Sequence, residues 1–347
     1  MKRTWAEISL ARLQRNFQAI RQAVGERVVI AVVKADAYGH GLAPVAEALW
    51  RAGARWFGVA DLGEARVLRS RLPEAAILVF GGCPPERAEE FRRLDLRAAV
   101  FREDWIPPGV PVHLKVETGM GRLGLDEAAA RRVARQAGGQ VEGIFSTMAA
   151  ADSSLPRTRE QLQRFRAVAE AVKGMRHIAN SASLAFPEAW LDAVRPGLAL
   201  YGWCARELPF RLEPILRWKA RVLAVNELPA GSPVGYGGRF VTARPSRIAV
   251  LAVGYADGYR RAFSNRAVVL TDQGPAPVVG NVSMDLTAID VTELPAVRPD
   301  SEVVLLDWDP ASPVSAWRLA EAADTIPYEI LAGLGSRVER RYVDEAI

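Results

Sequence analysis

The chain has 347 residues, half of them hydrophobic, which is room for one large domain plus a smaller one. No run of about 18 apolar residues occurs, so no membrane span is expected. The net charge of +5 is carried by arginines interleaved with acidic and apolar residues, as in EARVLRSRL, with no nucleic-acid module beside them, which argues against a polyanion partner.

The opening MKRTWAEISLARLQRNF has a basic tip and no apolar signal core, so it is expected to be structure, and the protein cytoplasmic. Short β-rich runs follow in order: VVIAVV, WFGVA, AILVF, LRAAV, VHLKV, VEGIF, RHIAN and DAVRPG. Segments between them, such as GLAPVAEALWRAGA and DEAAARRVARQAGG, carry apolar residues at helical spacing. Eight strands with crossovers predict an α/β fold, a (β/α)8 TIM-like barrel over residues 8–213. The alternative, an open doubly wound sheet, lacks a G-x-G-x-x-G after the first strand. Over residues 214–347 strands and turn signals dominate, which predicts a mostly β second domain ending in two short helices, SAWRLAEAAD and PYEILAGLG. Residues 1–7 are candidates to pair with it. Cys83 and Cys204 match no metal-ligand spacing and read as buried thiols.

In such a barrel the active site gathers at the C-terminal ends of the strands. Those ends carry Lys34, Lys115, Thr147, Asn180 and Arg195, with Arg122 just beyond the fifth strand. Converging cations need a partner, so an anionic ligand fits. NSAS and RPGLALYG, after the seventh and eighth strands, stand where this fold commonly binds phosphate. Only five of the 45 basic residues are lysine, and Lys34 ends an apolar strand. A desolvated amine there has a lowered pKa and can attack an aldehyde, which points to pyridoxal phosphate held as a Schiff base. The plainer alternative is a lysine that snorkels out of the rim.

The motifs AVVKADAYGHG, HLKVETGMGRLG, HIANSAS, VRPGLALYG, PVGYGG, VGYADGYRR, VGNVSMD and TIPYEI cover nearly the whole chain. In that order they resemble alanine racemases, pyridoxal-phosphate enzymes with a barrel and a β domain. The resemblance implies racemisation of L- and D-alanine by two-base proton transfer, supplying D-alanine. It makes Lys34 the cofactor lysine and the base on the D side, and Tyr236 the base on the L side. Tyr38 and Tyr328 become phosphate hydroxyls, sharing that group with Ser181, Gly197 and the Leu198 backbone, with Asn180 beside it. Arg195 would face the pyridine nitrogen. Arg122 would meet the substrate carboxylate, oriented by Lys115 as a carbamate. Met284 and Tyr255 would narrow the substrate entrance. Family members are head-to-tail homodimers, so Tyr236, Tyr255 and Met284 would come from the other subunit.

One position departs from the family. A histidine usually ends the sixth strand, and GIFSTMAAAD has Thr147 there. Threonine offers no aromatic face for the cofactor ring and no group titrating near neutrality. The departure leaves open a racemase of another amino acid, or a cofactor-binding protein with reduced activity. A decarboxylase of the same barrel type is a further reading, but its glycine-rich phosphate loop and β-domain cysteine are not visible. His40, His113 and His177 sit beside the motifs and read as structural.

Overall fold

The computed structural model describes residues 3–343 and divides into two compact units, one running from Leu13 to Glu213, the other joining the residues up to Arg12 with Pro214 onward. Met1 and Lys2 of the expected pairing segment, and residues 344–347 of the second domain, lie outside the described residues.

The first strand, β1 (Thr4–Ser9), belongs to the second unit and is taken up below. The first unit is a closed barrel of eight parallel strands: β2 (Val28–Val32), β3 (Trp56–Val59), β4 (Ala76–Val79), β5 (Leu96–Val100), β6 (Val112–Lys115), β7 (Val141–Phe145), β8 (Met175–Ala179) and β9 (Ala193–Val194). Each expected strand is present, and β2 closes the ring on β9 through Val28 opposite Ala193. Strands in such a barrel are covered on both faces, which is why they read as β-branched apolar runs. Val29, Ile30 and Ala31, like Ile77 and Leu78, are buried. The helix Leu42–Arg51 turns Leu42, Val45, Ala46 and Leu49 inward, and Glu127–Ala137 turns in Ala130 and Val133, the spacing of one helical face. Cys83 is buried and Cys204 only half-buried, and both are free thiols.

The second unit is β-rich. Its long strand β10 (Leu216–Leu228) pairs antiparallel with β1, while β11 (Pro233–Val234) and β12 (Phe240–Val241) form a small hairpin. The other strands are β13 (Ser246–Leu251), β14 (Val268–Thr271), β15 (Gly274–Pro277), β16 (Thr287–Asp290), β17 (Glu302–Leu306) and β18 (Glu339–Val343). The sheet order is β15-β14-β17-β10-β1-β18, and β13 joins β10 to β16. β10 alternates as a half-solvated strand should. Leu216, Trp218, Ala220 and Val222 are buried, while Lys219 reaches Glu7 at 2.9 Å and Arg221 reaches Glu302 at 3.2 Å on the opposite face. β1 also pairs in parallel with β18, so the segment before the barrel is an inner strand of this sheet.

Candidate active site

β2 ends at Val32, two residues before Lys34, and the chain then makes an uncommon move. Ala35, Asp36, Ala37 and Tyr38 all have φ between 52° and 55°, a left-handed turn built without glycine. Such a conformation costs roughly 1–2 kcal/mol per residue. Hydrogen bonds offset it: Ala35 N–H donates to Glu64 Oε1 at 2.6 Å, Ala37 N–H to Val33 O at 2.9 Å, and Leu42 N–H to Asp36 Oδ1 at 2.7 Å. The turn leaves Lys34 at the barrel mouth and folds Tyr38 back into the protein, its ring 4.8 Å from that of Tyr201. A Cβ on Gly197 would come within 2.2 Å of Tyr38 Oη, so only glycine lets the hydroxyl lie against this backbone.

Ser181 stands at the same edge. Its Oγ accepts from Gly197 N–H at 3.0 Å and Ala199 N–H at 3.1 Å, and its own hydroxyl hydrogen remains available to donate. Leu198 opens the short helical turn Leu198–Tyr201 on this loop. Asn180 is tied into the loop below: its Oδ1 accepts from Ser183 N–H and Oγ, and its Nδ2 donates to Met148 O.

The cations follow the strand ends. Lys34 is accessible from the mouth, yet protein surrounds its amine. That desolvation lowers its pKa, Arg122 and Arg195 push it down further, and Glu64 opposes them. Lys115 is buried, and burial, with Arg122 and Arg195, brings its pKa down to about 8. Among the described residues no carboxylate lies within 4.0 Å of either amine, nor of Arg195. Arg195 is buried, which lowers its pKa to about 9. It donates to Ser146 O at 2.5 Å and His177 O at 2.8 Å. The Phe145 ring lies 5.1 Å from its Cζ and 6.0 Å from Lys115 Nζ, and it stacks on His177.

Arg122 is exposed, on a loop organised by Glu117. The Glu117 carboxylate accepts from Gly119 N–H at 2.5 Å, Met120 N–H at 2.6 Å and Arg122 N–H at 3.3 Å. Partial burial opposes its charge, but these amides and that of Gly121 outweigh it and lower its pKa. Thr147 is half-buried at the end of β7, its carbonyl accepting from Gln161 Nε2 at 3.2 Å.

The structure thus brings Lys34, Tyr38, Lys115, Arg122, Thr147, Asn180, Ser181, Arg195, Gly197 and Leu198 to strand ends and following loops of one barrel. Tyr236, Tyr255, Met284 and Tyr328 belong to the β-rich unit. Within it Tyr236 is 79% exposed, and Asn281 Nδ2 donates to its carbonyl at 2.7 Å. The loops bearing Tyr255 and Met284 are laced together by Tyr255 N–H to Ser283 O and Ala256 N–H to Met284 O, both 3.0 Å. Tyr328 is half-buried in the helix Pro327–Ala332. Sequence reasoning passed over Glu117, Glu64 and Asn281. The signal for Glu117 was present in the glycines that follow it in ETGMG, since a carboxylate gathering consecutive amides needs such a backbone.

Comparison with known proteins decides the family. The model of the alanine racemase N-terminal domain matches residues 8–204, and that of the C-terminal domain residues 215–342. The chain belongs to the alanine racemase family. The alanine racemase of Symbiobacterium thermophilum is 41% identical over 375 residues, covering 99% of this chain and 98% of that protein. The Streptomyces coelicolor alanine racemase structure superposes with a TM-score of 0.91 at 34% identity, covering 99% of both chains. The alanine racemase of Bartonella henselae, solved with covalently bound pyridoxal phosphate, gives 0.90 at 31% identity, covering 98% of this chain and 99% of that one. The match to alanine racemases through both domains does not favour the decarboxylase, other-racemase or non-catalytic readings that the sequence left open.

Proposed function

We infer that this chain racemises L- and D-alanine with pyridoxal phosphate as cofactor, supplying D-alanine. The observation that carries the reading is Lys34, an amine of lowered pKa at the mouth of a barrel whose family is that of alanine racemases. The residues fit the cofactor. Tyr38 and Gly197 form a cradle that a Cβ would fill, Ser181 retains a donor, and Arg195 is a buried cation without a carboxylate partner among the described residues.

When bound, pyridoxal phosphate supplies an electron-withdrawing ring joined through nitrogen to the amino acid, which acidifies its Hα. Lys34 would hold the cofactor and exchange the proton on the D face. Tyr236 would exchange it on the L face, because inversion requires removal from one side and return to the other. Tyr38, Ser181, Gly197, the Leu198 backbone and Tyr328 would hold the phosphate, with Asn180 beside them. Arg195 has donors only, so facing the ring nitrogen it would keep that atom unprotonated. Arg122 would bind the substrate carboxylate, held in place by the loop that Glu117 gathers. Lys115, with a pKa of about 8, has a neutral fraction that could add dissolved carbon dioxide and release a proton, and the resulting carbamate anion would sit among Arg122 and Arg195.

We further propose a cytoplasmic head-to-tail homodimer. Tyr236 at 79%, Met284 at 53% and Tyr255 at 44% exposure are large side chains left open on one unit, where a second copy would cover them. From there they would complete its site, Met284 and Tyr255 narrowing the entrance. The test is incubation with L-alanine in D2O, following chirality and Hα exchange together. Inversion with deuterium incorporation is expected. Exchange without inversion, or neither, would refute the reading, as would an unchanged visible spectrum in Lys34→Ala.

A further inference from the structure

His113 is the second residue of β6, and His177 the third of β8. Between them on β7 is Gly143, where a Cβ would lie 2.5 Å from His113 Nδ1. The missing side chain is the space the imidazole occupies. His113 Nδ1 is 2.7 Å from His177 Nε2, and His177 Nδ1 is 2.7 Å from Arg195 Nη1. Both rings are fully buried. The result is a file of hydrogen bonds through the barrel interior, ending at the one guanidinium assigned to the cofactor ring.

The direction of that file is fixed by chemistry. A guanidinium only donates, so His177 Nδ1 must accept. Its hydrogen is therefore on Nε2, which donates to His113 Nδ1, and the His113 hydrogen is on Nε2. A proton added to either ring would set one N–H against another. Burial and the charges of Arg97 and Arg195 hold the His113 pKa down at about 3, and burial, Arg195 and His113 hold that of His177 well below its ordinary value. Both rings are thus neutral at working pH.

We propose that His113 is a positioning residue for Arg195, acting through His177: it is the acceptor that locks His177 as the Nε2–H tautomer and so keeps Nδ1 open to hold the guanidinium. Without that acceptor, the Nε2–H of His177 would be buried and unpaired, a cost of about 1–3 kcal/mol that works against the hold of Arg195 on Nδ1. The Nδ1–H form would confront Arg195 and displace it. The consequence for turnover rests on the assignment of Arg195 to the cofactor ring, whereas the tautomer does not.

The chain has three histidines, so long-range 1H–15N spectra of histidine-labelled holoenzyme resolve the question. At pH 7, His113 and His177 should both appear as Nε2–H. His40, whose Nδ1 faces the carbonyls of Ala37 and Tyr38 at 3.0 and 2.9 Å, should appear as Nδ1–H. In His113→Leu the His177 signal should move toward Nδ1–H, the visible cofactor absorbance should shift, and kcat should fall about tenfold with KM nearly unchanged. His113→Asn places an acceptor oxygen where Nδ1 was and should restore all three. Should the leucine variant not fold, His113→Gln, which moves the polar group away from His177, serves in its place. Wild-type His177 protonated or as Nδ1–H, or an unmoved His177 signal in His113→Leu, overturns the proposal. A moved signal with unchanged absorbance and kcat would overturn instead the placing of Arg195 at the ring.

Discussion

Asn281 Nδ2 donates a 2.7 Å hydrogen bond to the carbonyl of Tyr236, tying the loop that presents this exposed phenol to the strand-end segment that carries Met284. The loop around Tyr236 is otherwise glycine-rich, with Gly235, Gly237 and Gly238 all at positive φ, so it has little stiffness of its own. Asn281→Ala removes a bond worth about 1 kcal/mol, which barely changes stability. With Tyr236 as the proposed L-side base the effect on catalysis is larger, and Hα exchange from L-alanine should slow by about tenfold while exchange from D-alanine slows less. Equal slowing of the two would separate Asn281 from Tyr236.

Glu117 provides a second handle. Its carboxylate accepts from three backbone N–H groups of the loop carrying Arg122. Glu117→Gln substitutes two donors for one of those acceptor oxygens and sets them against amide hydrogens. The loop should loosen, raising KM for alanine by about tenfold with a smaller change in kcat. Stability should fall by no more than about 1 kcal/mol, because the amides that lose their acceptor are exposed or only part-buried and water can replace it. Steady-state kinetics beside urea unfolding checks both parts, and an unchanged KM would detach Glu117 from Arg122.

The buried histidine pair predicts sensitivity to acid. Free histidine titrates near 6.5, whereas His113 in the fold titrates at about 3 and His177 far below its ordinary value. A depressed folded pKa means the unfolded chain binds more protons below about pH 6.5, so the stabilisation is complete above that value and drains away as pH falls toward 3. Each histidine should cost roughly 1.4 kcal/mol per pH unit in that window. Urea unfolding at pH 7.5 and 5.5 should differ by roughly 2–3 kcal/mol in the wild type and by about half that in His113→Asn. An identical difference in the two proteins would contradict the neutral assignment.

Thr147 bears on turnover. Its backbone is held by Gln161, so replacing the side chain should leave the end of β7 in place. On the proposed site, Thr147→His would supply an aromatic face for the cofactor ring and a hydrogen-bonding neighbour for Tyr236, and kcat should rise by several-fold. A large drop would mean that the mouth is shaped around the smaller residue.

The amino-acid order by itself determined the barrel and the strand ends on which its candidate site residues stand. A strand buried on both faces must be apolar along its length, so eight such runs were visible without coordinates. Lys34 is distinctive in the sequence because it is one of only five lysines and ends the first of those apolar runs. The tertiary structure alone decided the rest. Ala35 to Tyr38 carry no glycine to announce a left-handed turn, which is held by Glu64 from a different helix. His113 and His177 are 64 residues apart, and nothing in either segment states that a glycine on the intervening strand lets their rings meet. Local sequence encodes burial and propensity, because these act on neighbours along the chain. Hydrogen bonds between distant strands depend on register and on which side chains are missing, and only the closed barrel sets those.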